Sequence, residues 1–193
     1  MMKILIVNGS PHKNDSMGSA LAHLSQEIKF LYKESADVDK FDIAEKKISI
    51  GHCGYCGKCK SISGGECIFN NAASMFIRKI YMADSIIIGT PVYQWGVSSQ
   101  LEAAIKKLFS EAVELEKRER TLLFLAQNTC AQNDKTLVNL QDYFRFISEH
   151  LKWAYLGCEV IPAQDAALAG KKVDAVLDKL HPQAWAERHC AIV

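Results

Sequence analysis

The chain has no apolar run near the roughly 20 residues that a membrane-spanning helix needs. Its apolar stretches, such as "ILIV" (4–7) and "LLFLA" (122–126), are of strand length. The first is too short for a secretory leader and runs into "NGSPHKNDS" rather than a small-residue cleavage site, so the expected location is cytoplasmic. An excess of charge of one sign is also missing. Lys and Arg number 23 against 22 Asp and Glu, for a net charge of +1. So balanced a surface supplies no field to hold nucleic acid or an acidic membrane, and neither is expected as a partner. The loops contain neither G-x-G-x-x-G nor the G-x-x-x-x-G-K-Ser/Thr run, which sets aside a dinucleotide grip and a nucleoside-triphosphate loop. A nucleophile elbow and a metalloprotease helix are likewise absent. Internal repeats, low-complexity tracts and linkers are absent too.

What is present fits one soluble domain. A chain of 193 residues can bury a full core without disulfides or metals, and 49% of it is apolar. "KILIV" (3–7), "DSIIIGT" (84–90) and "TLLFLAQNT" (121–129) read as strands buried on both faces. "VDKFDI" (38–43) alternates and reads as a further strand, and "AYLGCEVI" (154–161) as a weaker one containing Gly157. Between them apolar residues recur at spacings of three and four. Met17 to Leu31, residues 73–82, 98–119, 137–151 and 171–189 therefore read as amphipathic helices, with Pro182 kinking or splitting the last. Ser98 or Ser99 is positioned to cap the helix at 98–119, with Glu102 completing a capping box from Ser99. Strands alternating with helices predict an α/β fold, an open parallel sheet covered on both sides with right-handed crossovers. The expected domain spans 1–193, with one insertion at about 51–70.

That insertion, "GHCGYCGKCKSISGGEC" (51–67), holds four of the seven cysteines, spaced C-x2-C-x2-C-x7-C. In a reducing compartment such a run reads as metal-binding or redox-active rather than as a disulfide framework. Thiolates are soft ligands suited to iron–sulfur clusters and to zinc. Cys53, Cys56 and Cys59 have the spacing to converge on one cubane, with Cys67 returning as the fourth ligand. A 4Fe–4S cluster, a zinc ion and four free thiols all remain open on these residues.

In open α/β sheets, ligands bind beyond the carboxyl ends of the strands. Three strand ends carry polar or glycine-bearing loops here: "NGSPHKNDSMG" (8–18), "GTPVYQWGVSS" (89–99) and "AQNTCAQND" (126–134). The first leads into a helix whose free N–H groups suit one terminal phosphate, with Ser10, His12, Asn14 and Ser16 beside it. The second offers flat surfaces in Tyr93 and Trp95, with Pro91 and Gly96 allowing close backbone approach. Gln127, Asn128 and Thr129 of the third can hydrogen-bond ring edges. Ordinary loop polarity and surface aromatics are the plainer alternatives. A monophosphate pocket, an aromatic wall and a polar third loop together suit flavin mononucleotide (FMN).

These stretches, namely "ILIVNGSPHKNDSMGSAL", "CGYCGKCKSISGGECIF" and "ADSIIIGTPVYQWGVSSQLEAAIK", resemble the flavodoxin-like NAD(P)H-dependent FMN reductases, and among them the iron–sulfur flavoproteins. The resemblance covers roughly the first 130 residues. It implies a flavodoxin-like three-layer sandwich with a five-stranded parallel sheet in the order 2-1-3-4-5. It also implies FMN as cofactor, NAD(P)H as possible electron donor, and a homodimer or homotetramer. Phosphate contacts carry over to Ser10, Asn14, Ser16 and the backbone of Met17, with His12 where the family often has Arg. Ring contacts carry over to Thr90, Pro91, Val92 and Tyr93, with Trp95 in the following turn. Two departures stand out. The chain reads "CIFNNAAS" where relatives often have paired aspartates, and "LEAAIKKLFS" where they often have Asp-Arg. The expected function is an FMN-dependent oxidoreductase whose cluster passes electrons to a small-molecule or ferredoxin-type carrier. The alternative is a non-catalytic FMN electron carrier or redox sensor with free thiols.

Overall fold

The computed structural model describes residues 1–12, 14–44, 53–61, 72–108, 115–128, 134–162 and 174–180. Five strands, β1 (Met2–Asn8), β2 (Ala36–Asp42), β3 (Ser85–Val92), β4 (Thr121–Asn128) and β5 (Ala154–Pro162), form one sheet in the order β2-β1-β3-β4-β5. Every pairing is parallel. The helices are α1 (Ser16–Tyr32), the short α2 (Lys58–Ser61), α3 (Ala72–Met82), α4 (Ser99–Leu108), α5 (Asp134–His150) and α6 (174–180).

The core divides into two layers because the central strands present apolar side chains to both faces. Leu5, Val7, Ile86, Ile88, Leu122 and Phe124 point to one face and meet α3, α4 and α5. Ile4, Ile6, Ile87, Leu123 and Leu125 point to the other and meet α1 and α6. Phe124 stacks on Phe144 of α5 with ring centroids 4.1 Å apart, and Phe41 of β2 meets Phe76 of α3 at 5.5 Å. Continuous apolar runs are what a strand covered on both sides requires. The result is the expected three-layer arrangement with the expected strand order. Among the described residues no helix is long and apolar enough to cross a membrane.

The flanks of the sheet differ from its centre. In β2 the buried Ala36, Val38 and Phe41 alternate with exposed Asp37, Asp39 and Lys40. In β5 the register with β4 shifts between Leu122 and Leu123, which pair with Tyr155 and Gly157. Gly157 has φ +99, a conformation that a side chain would strain, so the glycine accommodates this bulge rather than merely weakening the strand.

Two boundaries depart from expectation. Of the helix predicted over 98–119, Ser99–Leu108 and Leu115 are helical, 109–114 lie outside the described residues, and Glu116–Arg118 form a turn and bend rather than a last helical turn. A tertiary knot follows that turn. Arg120 is buried at 1% exposure and gives its guanidinium to four backbone carbonyls, those of Ile80, Tyr81, Leu115 and Arg118, at 2.7–3.2 Å. It also lies over the rings of Tyr81 and Trp153, 5.8 and 5.7 Å from their centroids. This knot ties the end of α3 to the start of β4 at the amino edge of the sheet. The second departure is β3, predicted to end at Thr90, which continues through Pro91 and Val92. Pairing of β1 with β3 ends at Asn8 and Gly89, so beyond that point β3 is an edge and a proline is tolerated there. The split predicted at Pro182 lies outside the described residues.

Candidate functional site

At the carboxyl edge the exits of β1 and β3 are bonded into one floor. Gly9 N donates to the Gly89 carbonyl at 2.7 Å. A Cβ on Gly9 would lie 2.6 Å from Leu101 Cδ2, 3.0 Å from Thr90 Cβ and 3.1 Å from the Gly89 carbonyl, so only glycine lets these elements close. Ser98 Oγ donates to the Gly9 carbonyl at 2.5 Å and accepts from Leu101 N at 3.1 Å. Ser98 is therefore the cap of α4. Ser99 instead bonds Gln100, and Glu102 accepts from Tyr143 at 3.0 Å rather than closing a box. Burial and the Glu102 charge both push the Tyr143 hydroxyl well above the usual range, so it stays a donor.

The first loop, expected from its sequence to hold a phosphate, is built around Asp15, a residue not among those expected there. Asp15 is the N-cap of α1, with Oδ1 accepting from Gly18 N at 2.8 Å. Its Oδ2 accepts from Ser10 Oγ at 2.5 Å, and Ser10 Oγ accepts in turn from His12 N at 3.0 Å. Ser10 is fully buried, and its N–H donates to Asn8 Oδ1 at 3.1 Å. His12, Asn14 and Ser16 are exposed around this centre, while the Met17 side chain is buried in the α1 layer. An Asp directly before an amphipathic helix is a cap signal, and it was available in "NDSMG".

The second loop supplies the wall. Thr90 is buried, its hydroxyl donating to the Pro91 carbonyl at 3.1 Å, and Pro91 is buried beside it. Val92 is half-buried, and Tyr93 begins a two-residue hairpin closed by reciprocal bonds with Gly96 at 3.0 and 2.9 Å. Both central residues, Gln94 (φ 43) and Trp95 (φ 66), are left-handed, a turn that normally recruits Asn and Gly. The hairpin projects Trp95, which is 77% exposed. Tyr93 reaches back to the first loop, where burial first and then the Asp15 charge raise its pKa against the opposing influence of the Ser10 hydroxyl. Between Pro11, Tyr93, Gly96 and the first turn of α4 lies a cavity of about 560 Å³. That is within the size range of small-molecule sites.

From the third strand end, Gln127 is buried at 1% exposure and its Nε2 has no hydrogen-bond partner. It pairs in register with Pro91 of β3. A buried amide donor lacking an acceptor is costly unless a ligand completes it. Asn128 ends β4, and Thr129 lies outside the described residues. The residues present thus fit a flavin at the second loop, with an aromatic wall and a roomy cavity; the open Gln127 donor stands one strand over, in register with Pro91, and is not in the lining of that cavity. At the phosphate end the N-terminus of α1 already holds a carboxylate.

Cys53, Cys56 and Cys59 are free thiols, Cys56 exposed and the others half-buried, while Cys67 lies outside the described residues. Tyr55 (φ 54) and Gly57 (φ 69) turn the backbone sharply between them. Among the described residues no three His, Cys, Asp or Glu side chains gather as metal ligands. The donor chemistry suits a soft metal, but the described arrangement does not assemble it. Cys158 on β5 is half-buried, and burial pushes its thiol up to about 11.

Comparison with known proteins gives three findings. The model of the NADPH-dependent FMN reductase family matches residues 2–165. An iron-sulfur flavoprotein of Methanocaldococcus jannaschii is 33% identical over 107 residues, 55% of this chain and 50% of that protein. One of Archaeoglobus fulgidus is 31% identical over 107 residues, 55% of this chain and 46% of that protein. The chain thus spans about half the length of the curated relatives it matches. Among solved structures, an NADH:FMN oxidoreductase in its apo form superposes with TM-score 0.63 at 13% identity, over 93% of this chain and 88% of that one. An FMN-dependent NADH-azoreductase from Bacillus anthracis, in complex with FMN, superposes with TM-score 0.64 at 12% identity, over 92% and 99%. At such identities these structures establish the fold alone.

Proposed function

Because the chain belongs to the NADPH-dependent FMN reductase family, we propose that it is a flavin-dependent oxidoreductase holding FMN at the carboxyl edge of its sheet, with NAD(P)H as electron donor. The observation that carries this is the bonded floor between the β1 and β3 exits, flanked by the unpartnered Gln127 amide. When bound, FMN accepts and returns a hydride or single electrons. The chain's own residues have simpler tasks. Tyr93 keeps its proton, since burial and Asp15 hold its pKa up, so its phenol stays neutral beside the ring. Gln127 Nε2 offers a buried donor to a ring-edge acceptor. Thr90, Pro91 and Val92 present strand backbone to the ring, and Trp95 shields it from water. Ser10, His12, Asn14, Ser16 and the Met17 backbone surround the phosphate end, with Asn128 and Thr129 beside Gln127.

The test is direct. The purified chain should take up FMN with quenching of its fluorescence, and should oxidise NADH or NADPH with a quinone or free FMN as acceptor. A chain that takes up no flavin overturns the reading. Flavin uptake without NAD(P)H oxidation favours the alternative, a non-catalytic FMN carrier or redox sensor.

A second proposal concerns Cys53, Cys56, Cys59 and Cys67 as ligands of a 4Fe–4S cluster exchanging electrons with a ferredoxin-type partner. Their C-x2-C-x2-C-x7-C spacing and the names of the two archaeal relatives support it. Iron and sulfide in the anaerobically isolated protein, lost in Cys56→Ser, test it; flavin bands without iron sink it. A homodimer or homotetramer is proposed with it, to be read from light scattering.

A further inference from the structure

The two ends of the candidate flavin pocket are satisfied to different degrees. At the ring end Gln127 is buried with an unpartnered Nε2. At the phosphate end two donors are already engaged from within the chain. Asp15 Oδ1 takes the Gly18 N–H and Oδ2 takes the Ser10 hydroxyl. Tyr93 stands near the same pair, within the field of Asp15. Helix N-termini attract one anion strongly, and here the first is covalently attached.

A phosphate dianion brought to this loop has two choices. It displaces Asp15 and takes over its bonds, leaving a carboxylate to be rehoused nearby. Otherwise it binds beside Asp15 and suffers like-charge repulsion. Either way the phosphate adds little to affinity. A flavin without phosphate escapes both costs and still gains the Gln127 donor and the Tyr93 wall.

We propose that Asp15, an internal anion at the N-terminus of α1, sets the discrimination between phosphorylated and unphosphorylated flavin. It rests on the flavin reading above and narrows it: FMN is a readily exchanged ligand here, and riboflavin binds nearly as well. Asp15 is a specificity residue that acts through its charge and by occupying two of the loop's donors, the Ser10 hydroxyl and the Gly18 N–H.

The test titrates FMN and riboflavin against the wild type, Asp15→Asn and Asp15→Ser. Asn keeps the shape and the Gly18 acceptor without the charge, and Ser keeps a competent cap. The wild type should bind the two flavins within about threefold of each other, and both variants should tighten FMN by about tenfold or more with riboflavin changed less than about twofold. Inorganic phosphate should compete with FMN in the variants and not in the wild type. A cap of purely structural value would shift both flavins together and leave their ratio alone, which overturns the proposal. So would weaker FMN binding in both variants. Absence of binding by either flavin to all three proteins overturns the flavin reading itself, and this inference with it.

Discussion

Ser98 Oγ donates to the Gly9 carbonyl across 89 positions of sequence, and the same oxygen caps α4 through Leu101 N. One hydroxyl thus fixes both the exit of β1 and the entry of α4. Ser98→Ala removes the cap and leaves the buried Gly9 carbonyl with only the long 3.5 Å bond from Thr90 Oγ1. A loss of about 1–2 kcal/mol is expected, a melting temperature lower by roughly 2–4 °C per kcal/mol. Flavin affinity should fall with it, because the floor of the pocket loosens. Differential scanning calorimetry and a flavin titration check the two halves.

Trp95 sits at φ 66 beside Gln94 at φ 43, so the hairpin holds two side chains in backbone conformations that glycine adopts freely. Left-handed non-glycine residues cost on the order of 1–3 kcal/mol each. Trp95→Gly should therefore leave the flavin-free protein as stable as the wild type or more so, by up to about 1 kcal/mol after the added unfolded-state freedom. It should weaken flavin binding by about threefold to tenfold through the lost aromatic surface. Gain in one measurement with loss in the other is the signature; loss in both would show that Trp95 packs instead against the body of the protein.

Arg120 delivers its guanidinium to carbonyls alone, with two of the four, those of Ile80 and Leu115, reached by fully buried bonds. Arg120→Met fills much of the volume but supplies no donor. Leu115 keeps its bond from Trp153 Nε1 at 3.3 Å and Ile80 its bond from Ala83 N at 3.1 Å, whereas the guanidinium's bonds to the Tyr81 and Arg118 carbonyls are lost outright. The expected cost is about 2–4 kcal/mol, seen as a lower urea midpoint. Since the knot lies at the amino edge, the folded fraction should bind flavin with unchanged affinity.

Cys158 carries a thiol pushed from 9.0 up to about 11, chiefly by burial. The thiolate is the nucleophile. At neutral pH, iodoacetamide should therefore modify the exposed Cys56 well before Cys158, and the rate at Cys158 should climb until pH passes about 11. The sign for stability follows from the same shift. The folded state holds this proton more tightly than the unfolded one, so stability is intact below pH 9.0 and is lost as pH rises towards about 11. Peptide mapping after timed alkylation and melting curves across pH check both.

Strands were legible in this sequence wherever both faces are covered, because "KILIV", "SIIIG" and "TLLFLA" leave no other way to bury so many adjacent apolar residues. Ends set by distant partners were not. The run "ELEKRER" continues a helical spacing, and nothing in it marks the turn at Glu116–Arg118 or the carbonyls that gather around Arg120. Pro91 and Val92 extend β3 because β4 still pairs with them after β1 stops at Gly89, a fact of neighbouring strand length. At the candidate site, the polar loops and aromatic wall could be listed from residue types. That Ser98 rather than Ser99 caps α4, and that Asp15 takes the Ser10 hydroxyl, depends on which groups face one another across loops.

The two flanks of the sheet have a consequence for how copies of this chain can meet. On one side β2 shows outward-facing Asp37, Asp39 and Lys40; on the other β5 is broken in register at Gly157. Charged side chains and bulges both deter an incoming strand. Growth of the sheet from chain to chain is thereby disfavoured at each border. Any association must be built from helices or from the loops above the strands, and in the latter case a neighbour would stand at the mouth of the pocket, where it can shape what enters.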